Sequence, residues 1–326
     1  MTVRARCGIA GHRQQSEGNR KIEMDSKMSR NQLLKRKEGA DDVLREVWEQ
    51  TADGTGLLLL KYPLLEETGI VRHCFTTRLG GVSEGMFSSL NLSFSRGDDR
   101  AAVEENFKRL ARALDVSYER FVFTDQTHTT NVRKVTAEDA GAGLIRERDY
   151  QDVDGLITNE PGLVLSTFYA DCVPLYFVDP VHRAIGMSHS GWRGTVGRIG
   201  LATIRAMQEA YGSEPEDIIC AIGPSICQDC YEISADVAEA FAQEFRGHEQ
   251  RLLAESPKNQ EAQMPEERKY QLDLWKANEI ILLEAGIRRE HLAVTNICTC
   301  CNHKLLFSHR ASQGKRGNLG AFLCLN

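Results

Sequence analysis

The chain has 326 residues, of which 41% are hydrophobic and 26% are charged, a composition typical of a globular protein with a substantial core. Its formal net charge of −6 gives no electrostatic basis for binding nucleic acid, and no stretch approaches the ~18 apolar residues that a membrane-spanning helix needs. Ten cysteines without a secretory signal favour reduced thiols. We therefore expect a cytoplasmic protein with neither nucleic-acid nor membrane partners.

Residues 1–50 are polar, mixed in charge and without hydrophobic periodicity, which predicts a disordered N-terminal extension followed by one folded domain over residues 51–326. A strand is expected over residues 70–77, ending at a turn marked by two glycines. Asp98 or Asp99 can cap a helix that runs to Leu114.

The middle of the chain contains short apolar runs that predict strands. They cover residues 121–123, 132–135, 154–158, 163–168, 173–178, 184–187 and 217–222. A helix is expected to begin at Thr195, with its inward face ending near Tyr211.

The last third of the chain also alternates between predicted helices, loops and strands. Ser234 can cap a helix, residues 247–268 read as a polar surface loop, and residues 275–285 have a helical pattern. Strands are expected at residues 292–294 and 321–325. Because strands and helices alternate only loosely and the strands cluster, we predict a single α/β domain with a mixed β-sheet system covered by helices, in layered α/β/β/α order.

Three side chains suited to metal binding follow apolar runs: His128, Cys172 and His189. One cysteine and two histidines are the right number for a catalytic zinc site, which keeps a fourth position open. The separations of 44 and 17 residues match no compact zinc motif. Any of the three could be replaced by another histidine of the chain: His73, His182 or His309.

Two arginines have the sequence setting of anion-binding residues. Arg78 and Arg193 each follow a strand-like run and lie shortly before a glycine, so that backbone N–H groups can join the guanidinium in binding phosphate or carboxylate. We expect both at the rim of the pocket that contains Cys172, although a surface salt bridge is the alternative for each. Asp171 could orient a histidine, act as an acid or base, or cap a turn.

The remaining cysteines form two groups, Cys227 with Cys230 and Cys298 with its neighbours Cys300 and Cys301. The 67 residues between Cys230 and Cys298 far exceed the ~12–20 that separate ligand pairs in compact zinc modules. Separate buried or loosely packed thiols are therefore favoured over a second metal site.

From about residue 69 to residue 326 the chain resembles the polyphenol oxidase or laccase-like purine nucleoside phosphorylase family, also described as multicopper polyphenol oxidoreductases and peptidoglycan editing factors. The resemblance rests on blocks that occur in the right order: FTTRLGGVS at 75–83, QTH at 126–128, DVDG at 152–155, ADCVP at 170–174, HSGWRG at 189–194, IGPSI and CYEI between 222 and 233, and the ending from Cys298 to Arg310. Two departures are Ser190, where the family usually has alanine, and residues 309–313, which intervene before a glycine-rich tail.

The resemblance implies a cytosolic α/β enzyme whose metal is held by His128, Cys172 and His189. Zinc is expected and copper is possible. The implied substrates are phosphate and purine nucleosides, because family members are linked to phosphorolysis of adenosine, inosine and S-methyl-5′-thioadenosine and to adenosine deamination. Zinc can activate water for that deamination, and arginines can place the phosphate that attacks the sugar. The catalytic candidates are Asp171, Cys172, Arg193 and Arg78.

Other functional classes remain open from the residues alone. Cys172 with His189 and Asp171 has the residue types of a thiol hydrolase, which would make the protein a cysteine-type amidohydrolase acting on peptidoglycan precursors. A copper-dependent phenol oxidase is another alternative, because three nitrogen and sulfur ligands could take copper. A multicopper oxidase would need more converging histidines than the nine scattered along this chain plausibly supply. A non-catalytic zinc-binding module would have its fourth ligand position filled by protein.

Overall fold

A computed structural model describes residues 32–39, 41–50, 54, 56–260 and 264–326, and residues 35–326 form one compact unit. In chain order the strands are β1 (Arg45–Gln50), β2 (Gly56–Lys61), β3 (Val71–Thr76), β4 (Phe121–Phe123), β5 (Val132–Lys134), β6 (Gly155–Thr158), β7 (Val164–Tyr169), β8 (Val173–Asp179), β9 (Ala184–Ser190), β10 (Ile219–Ile222), β11 (Glu232–Ser234), β12 (Leu253–Glu255), β13 (Lys269–Leu272), β14 (Leu292–Val294) and β15 (Leu319–Leu325).

The α-helices in the same part of the chain are α1 (Pro63–Glu66), α2 (Arg100–Leu114), α3 (Trp192–Val196), α4 (Ile199–Tyr211), α5 (Ala235–Glu244), α6 (Glu249–Leu252), α7 (Leu274–Glu284) and α8 (His309–Ser312). The longest, α2, has 15 residues. None of these helices is both long and apolar enough to cross a membrane.

The strands form two large sheets and one small one. The first sheet has six strands in the order β1-β2-β3-β15-β7-β4, and the second has six in the order β14-β10-β8-β9-β6-β5. Both are mixed, since β4 runs parallel to β7, β14 to β10 and β5 to β6, whereas the other pairs are antiparallel. The small sheet has the order β11-β13-β12.

The two large sheets pack face to face and are linked by buried tyrosines. Tyr169 on β7 donates a hydrogen bond to the Ser188 carbonyl on β9 at 3.1 Å, and Tyr176 on β8 donates to the Cys74 carbonyl on β3 at 3.0 Å. Each phenol spans an apolar interface yet keeps its hydroxyl paired, so neither leaves an unsatisfied polar group. These hydrogen bonds therefore fix the position of one sheet relative to the other.

Helices cover the outer faces. On the first sheet, α2 buries Phe107 and Leu110 in one apolar cluster with Phe121 and Phe322. On the second, α4 and α7 contribute to a separate cluster that includes the following side chains: Leu175, Phe177, Ile204, Met207 and Leu282. Two apolar cores outside two stacked sheets give the layered α/β/β/α arrangement, which confirms the predicted mixed-sheet α/β fold.

Three sequence expectations need correction in detail. Of the extension predicted over residues 1–50, residues 1–31 lie outside the described residues, but β1 within it pairs with β2 in the first sheet. The loop predicted over residues 247–268 contains α6 and β12, because polar residues there form the edge of the small sheet. The helix predicted from Thr195 is two helices, since Arg198 adopts a left-handed conformation with φ of 58° between them.

Candidate metal centre and cavity

His128, Cys172 and His189 converge, with their ligand atoms all within 4.8 Å of one another. His128 lies in the loop after β4, and Cys172 lies in residues 170–172, where the chain crosses from the first sheet to the second. His189 is on β9, paired with Pro174 at the start of β8. The three residues are far apart in sequence, and the packing of the two sheets brings them together.

Asp154 fixes both histidines. Its fully buried carboxylate accepts hydrogen bonds from the His189 ring Nδ1 at 2.7 Å and from the His128 backbone N–H at 3.1 Å. It also accepts from the backbone N–H groups of Thr127 and Thr129 at 3.0 Å. Nδ1 of His189 is therefore occupied, which leaves Nε2 for a metal or a proton. The residue hydrogen-bonded to the His189 ring is thus Asp154, not Asp171, for which orienting a histidine is one of the roles the sequence suggests.

Cys172 and His189 stabilise each other's charged forms. Burial acts to raise the pKa of the Cys172 thiol, but the charge of His189 and hydrogen bonds to both histidines outweigh it and lower the pKa to about 6. Burial likewise acts to lower the pKa of His189, but Cys172 and Asp154 raise it to about 9. In the absence of metal, neutral pH thus favours a thiolate, which is the form that binds metals and attacks electrophiles.

Gly191 allows the close approach of these groups. A Cβ atom at this position would lie 2.7 Å from Cδ2 of His128 and 3.3 Å from Sγ of Cys172. Any larger residue would push the His128 ring away. The glycine of the HSGWRG block is therefore required by the space that the imidazole occupies.

The donor set fits a zinc ion. One thiol and two imidazoles supply three ligands of the borderline-soft kind that zinc accepts, and the same donors can take copper. His128 is exposed whereas His189 is buried, so the three side chains form a site that opens on one side. A fourth position is available there for solvent or substrate.

The three residues line an open cavity of about 880 Å³. Its lining is strongly basic, with five arginines against two carboxylates: Arg96, Arg100, Arg146, Arg148 and Arg316 against Asp125 and Glu147. Apolar side chains on the same walls include Phe94, Phe123, Ile145, Tyr150 and Phe168. A cavity with both surfaces can take an anion together with a flat, partly apolar ligand.

Arg316 is the functional candidate that sequence reasoning missed. Its side chain is buried, and its Nη1 donates to Asn318 Oδ1 and to the Gly317 carbonyl, while its Nε has no hydrogen-bond partner. Burial and the charge of Arg96 lower its pKa to about 10. A bound anion would relieve both costs. The only sequence signal is the glycine on either side of Lys315-Arg316, directly after residues 309–313, which depart from the family pattern.

Arg78 and Arg193 are not among the residues that line this cavity. The Arg78 guanidinium donates to the carbonyls of Ser88 and His303 and lies over the Phe307 ring at 4.5 Å. That of Arg193 lies 4.3 Å from the ring of its neighbour Trp192. The rim position expected for the two arginines and a catalytic role for either stay predictions.

Asp171 is engaged in holding the chain around Cys172. Its Oδ1 accepts from the Thr299 hydroxyl at 2.7 Å and its Oδ2 from the Arg310 backbone N–H at 2.7 Å. Asp171 itself has a φ of 88°, a conformation that needs such external support. These contacts suit a positioning residue better than a proton donor.

The alternative histidines lie elsewhere. Nε2 of His73 accepts from the Tyr62 backbone N–H, and burial lowers the pKa of His73 to about 3. His182 pairs with Asp179 through Nδ1 at 2.8 Å, and His309 begins α8. Within the described residues none of the three joins the cluster of His128, Cys172 and His189.

Comparison with known proteins identifies the family of this chain. Residues 72–326 match the family model described as multi-copper polyphenol oxidoreductase laccase. A relative from Bacillus subtilis named purine nucleoside phosphorylase YlmD is 38% identical over 253 residues, which cover 76% of this chain and 86% of that protein. Its namesake from Geobacillus stearothermophilus is 39% identical over 252 residues, covering 76% and 88%.

Solved structures extend the likeness to the fold. The Bacillus licheniformis hypothetical protein YfiH superposes with a TM-score of 0.76 at 33% identity, covering 88% of this chain and 100% of that one. YlmD from Geobacillus stearothermophilus gives a TM-score of 0.73 at 35% identity, with 86% and 100% covered. With the family model covering residues 72–326, which include all three converging side chains, the chain belongs to the multi-copper polyphenol oxidoreductase laccase family.

Proposed function

We propose that this protein is a purine nucleoside phosphorylase that acts on adenosine, inosine and S-methyl-5′-thioadenosine and also deaminates adenosine. Relatives 38% and 39% identical carry the name purine nucleoside phosphorylase. The observation that carries the proposal is one cavity that joins the metal-binding side chains to an arginine-rich wall. Its substrates are soluble, so cytoplasmic activity is part of the same proposal.

In phosphorolysis, phosphate attacks the anomeric carbon of the ribose while the bond to the purine breaks and the purine leaves with a proton. The barrier falls when the anion is held in line with that bond. Arg316 is suited to hold it, because its guanidinium is buried, lacks a partner at Nε and lies near the positive charge of Arg96. The apolar walls would take the purine and ribose.

Deamination uses the metal-binding side chains that line the same cavity. Zinc held by His128, Cys172 and His189 would supply the Lewis-acid activation of water that replacement of the purine amino group needs. Asp154 keeps Nδ1 of His189 occupied and so fixes the ring that faces the ion. Copper bound by the same residues is tested by measuring both metals in the purified protein.

The test is a panel of purine nucleosides incubated with purified protein, with and without phosphate. Phosphorolysis releases a free base and a sugar 1-phosphate only when phosphate is present, whereas deamination converts adenosine to inosine without it. Arg316→Met should lower kcat/KM for phosphorolysis by about 10²-fold and leave deamination within a few-fold. Arg205→Met, at an exposed position on α4, is the matched control. Base release that does not need phosphate would refute phosphorolysis. An unaffected Arg316→Met variant would refute the role of Arg316 in holding phosphate.

A second candidate follows from the order Cys172, His189, Asp154. A low-pKa thiol beside an imidazole that is oriented by a buried carboxylate is also the arrangement of a cysteine-type amidohydrolase. Under the metal interpretation, Cys172→Ser should lose zinc and deamination together and regain part of the activity in excess zinc. A nucleophilic thiol predicts activity that survives chelation and a covalent substrate adduct trapped on Cys172.

A further inference from the structure

A second group of cysteines converges on the far side of the segment that carries Cys172. The sulfur atoms of Cys227, Cys230, Cys298 and Cys301 all lie within 4.8 Å of one another. None of these four cysteines is in a disulfide, and Sγ of Cys230 lies 3.5 Å from Sγ of Cys301. We name this group the four-cysteine cluster.

The fold explains why residues so distant in sequence meet. Strand β10 runs parallel to β14, so the segments that leave the two strands continue in the same direction side by side. Ser225 after β10 forms a bridge with Cys298 after β14. Each segment then turns through a C-x-x-C pair, one ending at Cys230 and the other at Cys301. The spacing argument against a metal applies to compact modules, in which no sheet brings the two pairs together.

We propose that the four-cysteine cluster binds a structural zinc ion that is distinct from the metal centre at Cys172. Zinc–sulfur bonds of ~2.3 Å in a tetrahedral site place the sulfur atoms about 3.8 Å apart. The observed sulfurs need shifts of only a fraction of that distance to reach this arrangement. Four protein ligands fill the coordination sphere, as in structural rather than catalytic zinc sites.

The surroundings of Cys298 suit a metal-bound thiolate. Its sulfur accepts hydrogen bonds from the backbone N–H groups of Cys227 at 3.3 Å and Cys301 at 3.4 Å. Such donors stabilise negative charge on sulfur, which an uncharged thiol in an apolar core does not require. Cys227 and Cys298 are buried, whereas Cys230 and Cys301 are partly exposed, so an ion can reach the cluster from one side.

The cluster is connected to the metal centre through Asp171. Ile226, next to Cys227, donates its backbone N–H to the Asp171 carbonyl at 3.0 Å. Thr299, next to Cys298, donates its hydroxyl to the Asp171 carboxylate at 2.7 Å. Both C-x-x-C segments thus hold the residue immediately before Cys172. A zinc ion joining them would fix the position of that ligand without taking part in the reaction.

The test counts metal in a protein that lacks the first site. His128→Ala with Cys172→Ala removes two of the three ligands of that site and serves as the background. Purified from zinc-supplemented cells, this background protein should retain about one zinc per chain by plasma mass spectrometry. Adding Cys230→Ser or Cys301→Ser should lower the zinc content at least several-fold. Adding Cys300→Ser, in the same turn but outside the cluster, should leave it unchanged.

Cobalt gives a second readout that does not depend on a folded triple variant. Replacing zinc with Co²⁺ in the background protein should produce the strong thiolate-to-metal charge-transfer absorption and visible bands of a tetrahedral four-sulfur site. The proposal would be overturned by a background protein that holds no zinc and shows no such cobalt spectrum. In that protein all four thiols would either react freely with a thiol reagent or be linked in disulfides. Because no activity is measured, this result is independent of whether the protein is a phosphorylase.

Discussion

Asp154 is the residue on which the geometry of the metal centre depends. It binds the side chain of one histidine, the backbone of the other and two further N–H groups of the same loop. Burial acts to raise the pKa of this carboxyl, but the hydrogen bond and charge of His189 with the backbone donors lower it. The carboxylate therefore stays charged where these four donors need a common acceptor.

Asp154→Asn should weaken zinc binding by about 10–100-fold, because an amide presents an N–H group to donors and cannot balance charge on His189. Competition with a chromophoric chelator measures the affinity. Asp152→Asn is the control, since this residue is exposed with φ of 55° and asparagine tolerates that conformation. Equal affinities for the two variants would show that Asp154 does not orient the site.

Gly191→Ala should reduce zinc affinity at least ten-fold while changing the unfolding midpoint little, because the added methyl group meets the His128 ring rather than backbone. Gly194→Ala is the control in the neighbouring helix α3. Its Cβ would make only ordinary contacts at 3.4 Å or more and should be neutral or stabilising by about 0.5–1 kcal/mol. Metal titration and thermal unfolding of both proteins check the pair; undiminished zinc binding in Gly191→Ala contradicts the steric account.

At this scale, residue types predicted which side chains converge but not the residues that support them. His128, Cys172 and His189 were identifiable because each is a metal-binding residue at the end of an apolar run. Asp154 carries no local signal for its role, since its partners lie about 25 to 35 residues away in both directions. Arg316 was missed for a related reason: its burial without an ionic partner is a property of the folded chain.

The two facing sheets set the positions of the elements that carry the site. β9 bears His189, β8 and β7 flank the segment with Cys172, and the crossing tyrosines tie β7 to β9 and β8 to β3. The contact of Tyr169 with His189, at 5.6 Å between ring centres, extends this packing to the metal centre itself. Sheet packing and site geometry are consequently one structure.

Tyr176→Phe should lower the free energy of unfolding by about 1 kcal/mol, the usual net value of a buried hydrogen bond whose partner remains. Urea denaturation followed by tryptophan fluorescence measures the change. Tyr270→Phe on β13, where the side chain is partly exposed, should change it by less than about 0.5 kcal/mol. A Tyr176→Phe protein as stable as the wild type would mean that the hydroxyl does not hold the sheets together.

Elements with strong periodicity were predictable and those shaped by neighbours were not. The helix expected to start after Asp98 or Asp99 is α2, capped by the Asp99 carboxylate, which accepts from the Ala101 N–H at 2.7 Å. β12 gave no strand pattern because it has only three residues, Leu-Ala-Glu, and lies at the edge of the small sheet, where none of them is buried. Pairing across long sequence separations decided such cases.

On the scale of the whole molecule, charge is unevenly distributed. The chain carries 40 basic and 46 acidic residues, yet the cavity wall has five arginines and two carboxylates. A concave basic surface within an acidic protein concentrates small anions there. This distribution agrees with a phosphate-sized partner.

Phosphate affinity should therefore fall by about three-fold or more between roughly 0.05 and 0.5 M potassium chloride, because salt screens the field of the arginines. Affinity for a neutral nucleoside should stay within about two-fold over the same range. Isothermal calorimetry with each ligand separately provides the comparison. Parallel salt dependence of the two ligands would indicate a general effect on the protein instead of an anion site.

The strand order of the first sheet has a consequence for how the chain is made. β15 comes after every other described element in sequence, yet its seven buried residues occupy the sheet between β3 and β7. Until β15 has been synthesised, β3 and β7 each have an unpaired edge, whose free N–H and C=O groups can pair with other chains. Completion of the sheet, and with it the alignment of Cys172, is thus delayed until β15 has been synthesised. Chains that still lack β15 are therefore the ones most exposed to aggregation.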